Sequence, residues 1–453
     1  MARFLRLGIA GMRGEVGTGL TPLLAMDYAA ALGTSVDGAP VVLGRDTRFS
    51  SPMLARAVRS ALAGCGCQVL DAGICPAPAV QYMVARLGAA AGILVGAGHH
   101  PAGWNAIVPL DDSGAYFNEA ATQSLLDIYH SRVFGHRAWD ATGGVAEVAG
   151  NELDAYLDEI TGVLDTAAIS RAGFKVIADF CGGAGSRLAA GFAERCGIEL
   201  VTMNEEFTGV LPHDPEPRPR SAAQAKTLLR HLGADVAFVF NSDMSRASIV
   251  ADSGETLSEE YTFPLAAERA VERGDASVVV TNSCTTRTLD DLVGDLGARV
   301  EKTRVGQAPI IDRARDIRAG VAGDGSGSFA MPDVVPAFDG FLAMGMVLES
   351  MAVKGASSSE LAAALPRFHI VKKKVYCPSS HAYTLLRTLK EHFPDAEHSE
   401  VDGFRFDWKD GWIHLRAAMT EPIIRMIVEW RSKEDAEERA ADIRGLIERL
   451  VAS

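Results

Sequence analysis

Four short segments concentrate the side chains able to do chemistry. The first runs Val95-Gly96-Ala97-Gly98-His99-His100-Pro101 and continues into Trp104-Asn105-Ala106-Ile107-Val108. Its paired imidazoles are competent nucleophiles, although adjacent loop residues rarely aim at one metal ion and no third ligand is evident nearby. The second is Asn241-Ser242-Asp243-Met244-Ser245-Arg246. Asp243 with Asn241 and Ser245 offers a weak cation site, and Arg246, close in sequence, is expected to pair with Asp243. The third, Gly323-Asp324-Gly325-Ser326-Gly327-Ser328, has strong turn chemistry. The fourth, Arg416-Ala417-Ala418-Met419-Thr420-Glu421-Pro422-Ile423-Ile424-Arg425, carries two guanidiniums and a hydroxyl. Upstream stand Gly11-Met12-Arg13-Gly14 and Gly44-Arg45-Asp46-Thr47-Arg48. Guanidinium forks bind phosphate through paired hydrogen bonds. Arg13, Arg45, Arg48, Arg246, Arg416 and Arg425, with Thr420, are therefore candidates for an anion site.

These segments follow strand-like runs, and in α/β sheets ligands bind beyond the carboxyl ends of strands. Strand-like 40–44, 67–71 and 91–95 alternate with helix-like 52–65 and 81–87, the first helix placing Leu54, Val58 and Leu62 on one face. The rhythm restarts at 174–179, with a Gly-rich turn at 182–185 and strands at 199–201 and 236–240. It restarts again at 278–280, with a helix at 289–296 and a strand at 299–300. The 182–185 turn fails the dinucleotide-loop template and reads as structural. Beyond about residue 368, runs 371–377 and 404–415 read as antiparallel strands and 434–451 as a charged amphipathic helix. Residues 212–219, rich in proline, read as a loop. Four units follow: 1–150, 151–255, 256–368 and 369–453.

The chain has 453 residues, 48% of them apolar and 23% charged, with a formal net charge of -14. That composition excludes wholesale disorder. The acidic balance argues against nucleic acid and membrane surfaces as partners, so any anion must be held by a local basic pocket. Seven scattered cysteines, no signal-peptide pattern and no apolar run of bilayer length lead to the expectation of a reduced, cytoplasmic protein.

Together, Gly-Arg-Asp-Thr-Arg at 44–48, Thr-Glu-Pro-x-x-Arg at 420–425 and the three loops between them resemble the α-D-phosphohexomutase family: phosphoglucomutase, phosphomannomutase and phosphoglucosamine mutase. The resemblance spans the chain and implies three similar mixed or parallel α/β domains plus a C-terminal α+β domain around a central cleft. It implies a phosphoserine in the first loop, a magnesium held by three aspartates of the second, sugar-hydroxyl contacts from the third and a phosphate grip from the fourth. The same comparison exposes departures. The phosphoserine position is Gly98. The metal-loop aspartates reduce to Asp243, so Mg²⁺ is expected to bind weakly at most. A lysine and a histidine that serve as proton-transfer candidates fall on Val108 and Ser328. The sugar-reading glutamate is shortened to Asp324, beside Ser326. A Thr-Ser pair near the start falls on Ile9-Ala10, and the fourth-loop Ser-Gly-Thr is Ala418-Met419-Thr420. The expectation is a divergent member without mutase activity and without a cofactor. It would retain an anion cleft for a hexose phosphate, built from Arg13, Arg45, Arg246, Asp324, Ser326, Arg416, Thr420 and Arg425, and would act as a sensor or as partner to another protein. The alternative is an active mutase with His99 or His100 as the phosphate carrier.

Overall fold

In the computed structural model, residues 5–418 and 422–452 are described. The first sheet contains strands β1 (Leu5–Gly8), β2 (Gly11–Glu15), β3 (Val41–Arg45), β4 (Val69–Ile74), β5 (Ala91–Val95), β6 (Trp104–Leu110) and β7 (Val145–Glu147), in the order β1-β2-β6-β5-β3-β4-β7. β3 pairs in parallel with β4 and β5, whereas β6 runs antiparallel between β5 and β2. The next two sheets share one plan. β8 (Lys175–Asp179), β9 (Glu199–Met203) and β10 (Val236–Phe240) are parallel, and β11 (Ala247–Ala251) returns antiparallel along β10. β12 (Val278–Asn282), β13 (Arg299–Thr303) and β14 (Val321–Asp324) are likewise parallel, with β15 (Ser328–Ala330) returning along β14. The last sheet, entirely antiparallel, is β16 (His369–Tyr376), β17 (Glu397–Ser399), β18 (Phe404–Trp408), β19 (Gly411–Ala417) and β20 (Ile423–Trp430), ordered β16-β20-β19-β18-β17.

The strands that end at the first two loops, Ala91–Val95 and Val236–Phe240, lie where the sequence places them, whereas β14, which ends at the third, has no counterpart in the sequence reading. Val236–Phe240, all apolar and β-branched or aromatic but for one alanine, is buried on both faces, as a covered parallel strand must be. Three local expectations need correction. The run 404–415 is not one strand but a hairpin, β18 and β19, folded at Lys409 and Asp410, with Trp408 opposite Gly411. The helix expected at 81–87 starts at Ala77, just after Pro76. The Gly-rich turn at 182–185 leads into a 3₁₀ turn, Ala184–Leu188, before the helix Ala189–Cys196.

One apolar core joins the first three units. It runs from Val80 and Met83 through Tyr156, Phe180 and Phe240 to Phe341 and Leu348. The helix Gly340–Lys354 lies at its centre, capped by Asp339, which accepts from the N–H groups of Phe341 and Leu342. The fourth unit has its own core and meets the third through polar contacts. Arg405 Nη1 donates to Ser283 O at 2.6 Å, Arg287 N to Glu429 Oε1 at 2.7 Å and Lys372 Nζ to Glu260 Oε1 at 2.7 Å. No helix among the described residues is long and apolar enough to cross a membrane.

Glu349 sits fully buried on the central helix, paired with Arg269 and Arg273 at 2.9 Å each and accepting from Asp165 N at 2.8 Å. Removing one partner of such a network strands buried charge, at a cost of about 3–5 kcal/mol. Glu349→Ala should lower the urea midpoint of the first three units accordingly, measured by tryptophan fluorescence and circular dichroism.

Candidate functional site

The first loop is held from beneath by Arg48, a side chain only 1% exposed. Its Nε donates to Asp46 Oδ2 at 3.0 Å, Nη1 to the carbonyls of Pro101 at 2.8 Å and Trp104 at 3.4 Å, and Nη2 to those of Gly98 and His100 at 2.7 Å each. Every guanidinium donor is thus used on the protein itself. Arg48, expected among the anion ligands, is instead the brace of the loop. Asp46 also accepts from Arg48 N at 3.0 Å, Ala97 N at 3.3 Å and Ser51 Oγ. Asn105 donates to the hydroxyls of Ser50 and Ser51, closing the network.

Gly98 faces the second loop directly. Its backbone has φ +50°, and a Cβ built there would lie 2.4 Å from Asp243 Oδ2. Ser242 Oγ donates to Gly98 O at 3.0 Å, and Ala77 N to Asp243 O. The position expected to carry phosphate and the one remaining carboxylate of the metal loop are therefore opposed across the junction of the first two units. Asp243 Oδ1 is already engaged by Ser245 N at 3.1 Å and Ser245 Oγ at 2.7 Å. Asn241 donates to Ser245 Oγ at 2.9 Å and accepts from Arg246 N at 3.1 Å. Much of this bonding stays within the loop. The expected Arg246–Asp243 ion pair is not formed: Asp243 caps its own turn, and Arg246 Nη1 reaches Glu216 at 2.9 Å instead. Among the described residues no three His, Cys, Asp or Glu side chains group closely enough to hold a metal.

Arg45, which donates to its neighbour's carbonyl, Asp46 O, at 3.2 Å, lines a small hollow with Gly96, Val108, Tyr116 and Asp243. His99 and His100 stack on each other at 4.6 Å, and His100 on Trp104 at 5.3 Å. Burial, then the guanidiniums of Arg246 and Arg13 among others, hold His99 well below the usual histidine range. Burial, then Arg13, Arg48, Arg246 and Arg6, hold His100 down to about 4. Both rings are neutral at pH 7. Burial, then the charges of Arg6 and Arg425, also depress Arg13. Arg425 of the fourth unit is thus near enough to Arg13 of the first for their charges to interact. Arg425 is exposed on β20, flanked in register by Arg416 on β19 and Lys374 on β16. Arg416 pairs with Asp402 at 2.9 Å. Thr420 lies outside the described residues.

The third loop, which carries Asp324 and Ser326, meets the end of the second, since Ala247 N, next to Arg246, donates to Gly327 O at 2.9 Å. Within their loop, however, Asp324 Oδ1 accepts from Ser326 N at 3.0 Å and from Ser326 Oγ, and Asn282 Nδ2 lies 3.3 Å from Asp324 Oδ2. Side chains that bond each other across a turn present less to a ligand than the pattern suggests.

Two features escaped the sequence reading. Glu216, the partner of Arg246, lies in the proline-rich loop 212–219, and nothing local ties it to a residue thirty positions on. On the same loop, His213 Nε2 lies 3.2 Å from the buried Asp179, and Nδ1 lies 2.9 Å from Asp214 O and 3.7 Å from Cys181 Sγ. Burial opposes charge there, but the hydrogen bonds with Asp179 and Cys181 outweigh it and push His213 up to about 11. The cluster adjoins the first loop's support, because Thr47 Oγ1 donates to Gly182 O at 2.6 Å.

The chain matches the phosphoglucomutase/phosphomannomutase α/β/α domain models I, II and III over residues 5–135, 154–254 and 247–368. It is 30% identical over 452 residues to a probable phosphoglucosamine mutase of Methanothermobacter thermautotrophicus, with 98% of each chain covered. It superposes with a TM-score of 0.84 on a phosphoglucomutase/phosphomannomutase family protein of Burkholderia thailandensis, 23% identical, covering 98% of each chain. The same fold recurs, with a TM-score of 0.57 and 13% identity, in the N-acetylphosphoglucosamine mutase of Aspergillus fumigatus in complex with GlcNAc-6P and magnesium, over 91% of this chain and 83% of that one. The chain belongs to the α-D-phosphohexomutase family.

Two outcomes test this geometry. Gly98→Ser forces a side chain into left-handed backbone and against Asp243, so it should destabilise the fold by about 1–3 kcal/mol in thermal or urea unfolding and create no mutase activity in a coupled assay. The imidazolium of His213 stabilises fully below its unfolded pKa near 6.5, and that contribution is lost as pH rises through about 11. The stability gap between the wild type and His213→Gln should therefore narrow steadily from pH 7 to pH 10 in urea titrations.

Proposed function

We propose that this chain is a phosphohexomutase-family protein without mutase activity that holds a sugar phosphate in its central cleft and acts as a sensor or as a partner of another protein. The observation that carries the reading is Gly98. The residue at the phosphate-carrier position has no side chain, and the space its Cβ would occupy is taken by Asp243. Phosphoryl transfer requires an acceptor, charge neutralisation and alignment, and losing any one removes orders of magnitude in rate. Val108 at the lysine position is buried in β6, and Ser328 at the histidine position is buried in β15; neither can move a proton as those residues would. A second loop with one carboxylate, already capping its own turn, suits neither the charge nor the octahedral demand of Mg²⁺.

The cationic side remains. Arg425 adds its charge to that of Arg13, and Arg13 and Arg246 both act on the imidazoles of the first loop. Two like charges drawn together are repaid only when an anion arrives between them. The phosphoglucosamine mutases among the relatives point to a hexose or hexosamine phosphate as that anion.

Incubation with ³²P-labelled glucose 1,6-bisphosphate should leave the protein unlabelled, and glucose 1-phosphate should not be converted to glucose 6-phosphate. Glucose 6-phosphate should raise the melting temperature by ligand linkage, with Arg425→Ala abolishing the shift. Acid-labile label on His99 or His100 together with turnover would establish the alternative, an active mutase with a histidine carrier. Absence of any thermal shift would reduce the chain to a structural subunit.

A further inference from the structure

His100 stands at the centre of the cationic cluster, and its contacts define its protonation. Arg13 Nη1 lies 3.5 Å from His100 Nε2. A guanidinium donates and never accepts, so Nε2 turns a lone pair toward Arg13 and the ring is neutral. The ring is also fixed in place. It is sandwiched between His99 and Trp104, with Arg6 over the Trp104 ring at 5.5 Å, and its carbonyl is anchored by Arg48. The charged groups facing it are Arg13 from β2, Arg6 from β1, Arg48 from beneath the loop and Arg246 from the second unit, with neutral His99 alongside. Arg425 of the fourth unit acts on the same cluster through Arg13.

A dianion entering this cluster changes both conditions at once. It draws the Arg13 fork onto itself, freeing the Nε2 lone pair, and it reverses the local field that kept the ring neutral. The stacked ring cannot rotate away without breaking the sandwich, so Nε2 is left facing a group that only accepts. We propose that His100 is a proton-coupled phosphate contact: neutral in the empty cleft, it takes a proton from solvent as the phosphate binds and donates Nε2–H to it. The ligand class this selects is the phosphate monoester dianion, whose second charge holds the proton in place. A singly charged sulfate ester gains less from the same ring. The proposal rests on the sugar-phosphate reading above and adds to it a residue and a proton.

Isothermal titration calorimetry with glucose 6-phosphate at pH 7, run in Hepes and again in Tris, resolves the proton from the difference in buffer ionisation heat. The wild type should show net proton uptake. His100→Asn and His100→Gln, each checked for an unchanged melting profile, should still bind more weakly but with the uptake abolished. Reciprocal linkage requires wild-type affinity to lose more than that of the variants as the pH is raised from 7 to 8. Binding without uptake, or uptake that persists in both variants, overturns the role of His100 and leaves the sugar-phosphate reading standing. Absence of binding heat in the wild type, confirmed by absence of a thermal shift, overturns both.

Discussion

Everything in the cleft depends on one buried guanidinium. Arg48 turns all five of its N–H groups inward, one to Asp46 and four to the carbonyls of Gly98, His100, Pro101 and Trp104. Burying such a charge is tolerable only because each donor is satisfied and a carboxylate sits beside it. The consequence is geometric. Four carbonyls pulled toward a common centre fix the backbone of the first loop whatever side chains it bears. The second unit is bound into the same knot, through Thr47 to Gly182 and through Ser242 to Gly98. The backbone of the first loop is therefore fixed whether or not the side chain at position 98 could carry a phosphate.

Much of this was legible in the sequence. Uninterrupted β-branched and aromatic runs such as 236–240 announce buried parallel strands, and the loops that follow them end where α/β ligand sites form. What failed was inference from nearness along the chain. Asp243 and Arg246 are three residues apart and were expected to pair. In a turn, though, a short acidic side chain finds its own backbone first, and the long arginine is free to cross to Glu216. His213 and Asp179 meet across thirty-four residues and leave no local trace. The hairpin hidden in 404–415 did carry a signal: Asp410 breaks the alternation that runs from Phe404 to Lys409, and Asp410-Gly411 is a turn dipeptide. Arg48 was recognisable as a motif residue, but a motif does not say whether its donors face a ligand or a carbonyl.

The substitutions in the second loop are mutually consistent rather than scattered. Asn241 and Ser245 carry no charge where the resemblance implies carboxylates, and they bond each other while Ser245 bonds Asp243 Oδ1. Glu216 supplies a compensating negative charge for Arg246 from outside the loop. Arg13, by contrast, is depressed by burial and then by the charges of Arg6 and Arg425. On the proposed reading, the cleft has less acid in its second loop and keeps base around Arg13 and Arg425.

That asymmetry bears on what kind of protein results. In catalysis, contacts that strengthen only in the transition state accelerate the reaction, whereas contacts equally good in the ground state merely bind. On the proposed reading, the missing nucleophile and proton carriers are of the first kind, and the retained arginines are of the second. The global charge of -14 does not weaken this grip, because beyond about 8 Å such charges are screened at physiological salt, while the guanidiniums stand at contact distance. On that reading, a cleft reduced to ground-state contacts would hold a sugar phosphate without turning it over, and its occupancy would report ligand concentration, which is what a sensor requires and a mutase does not.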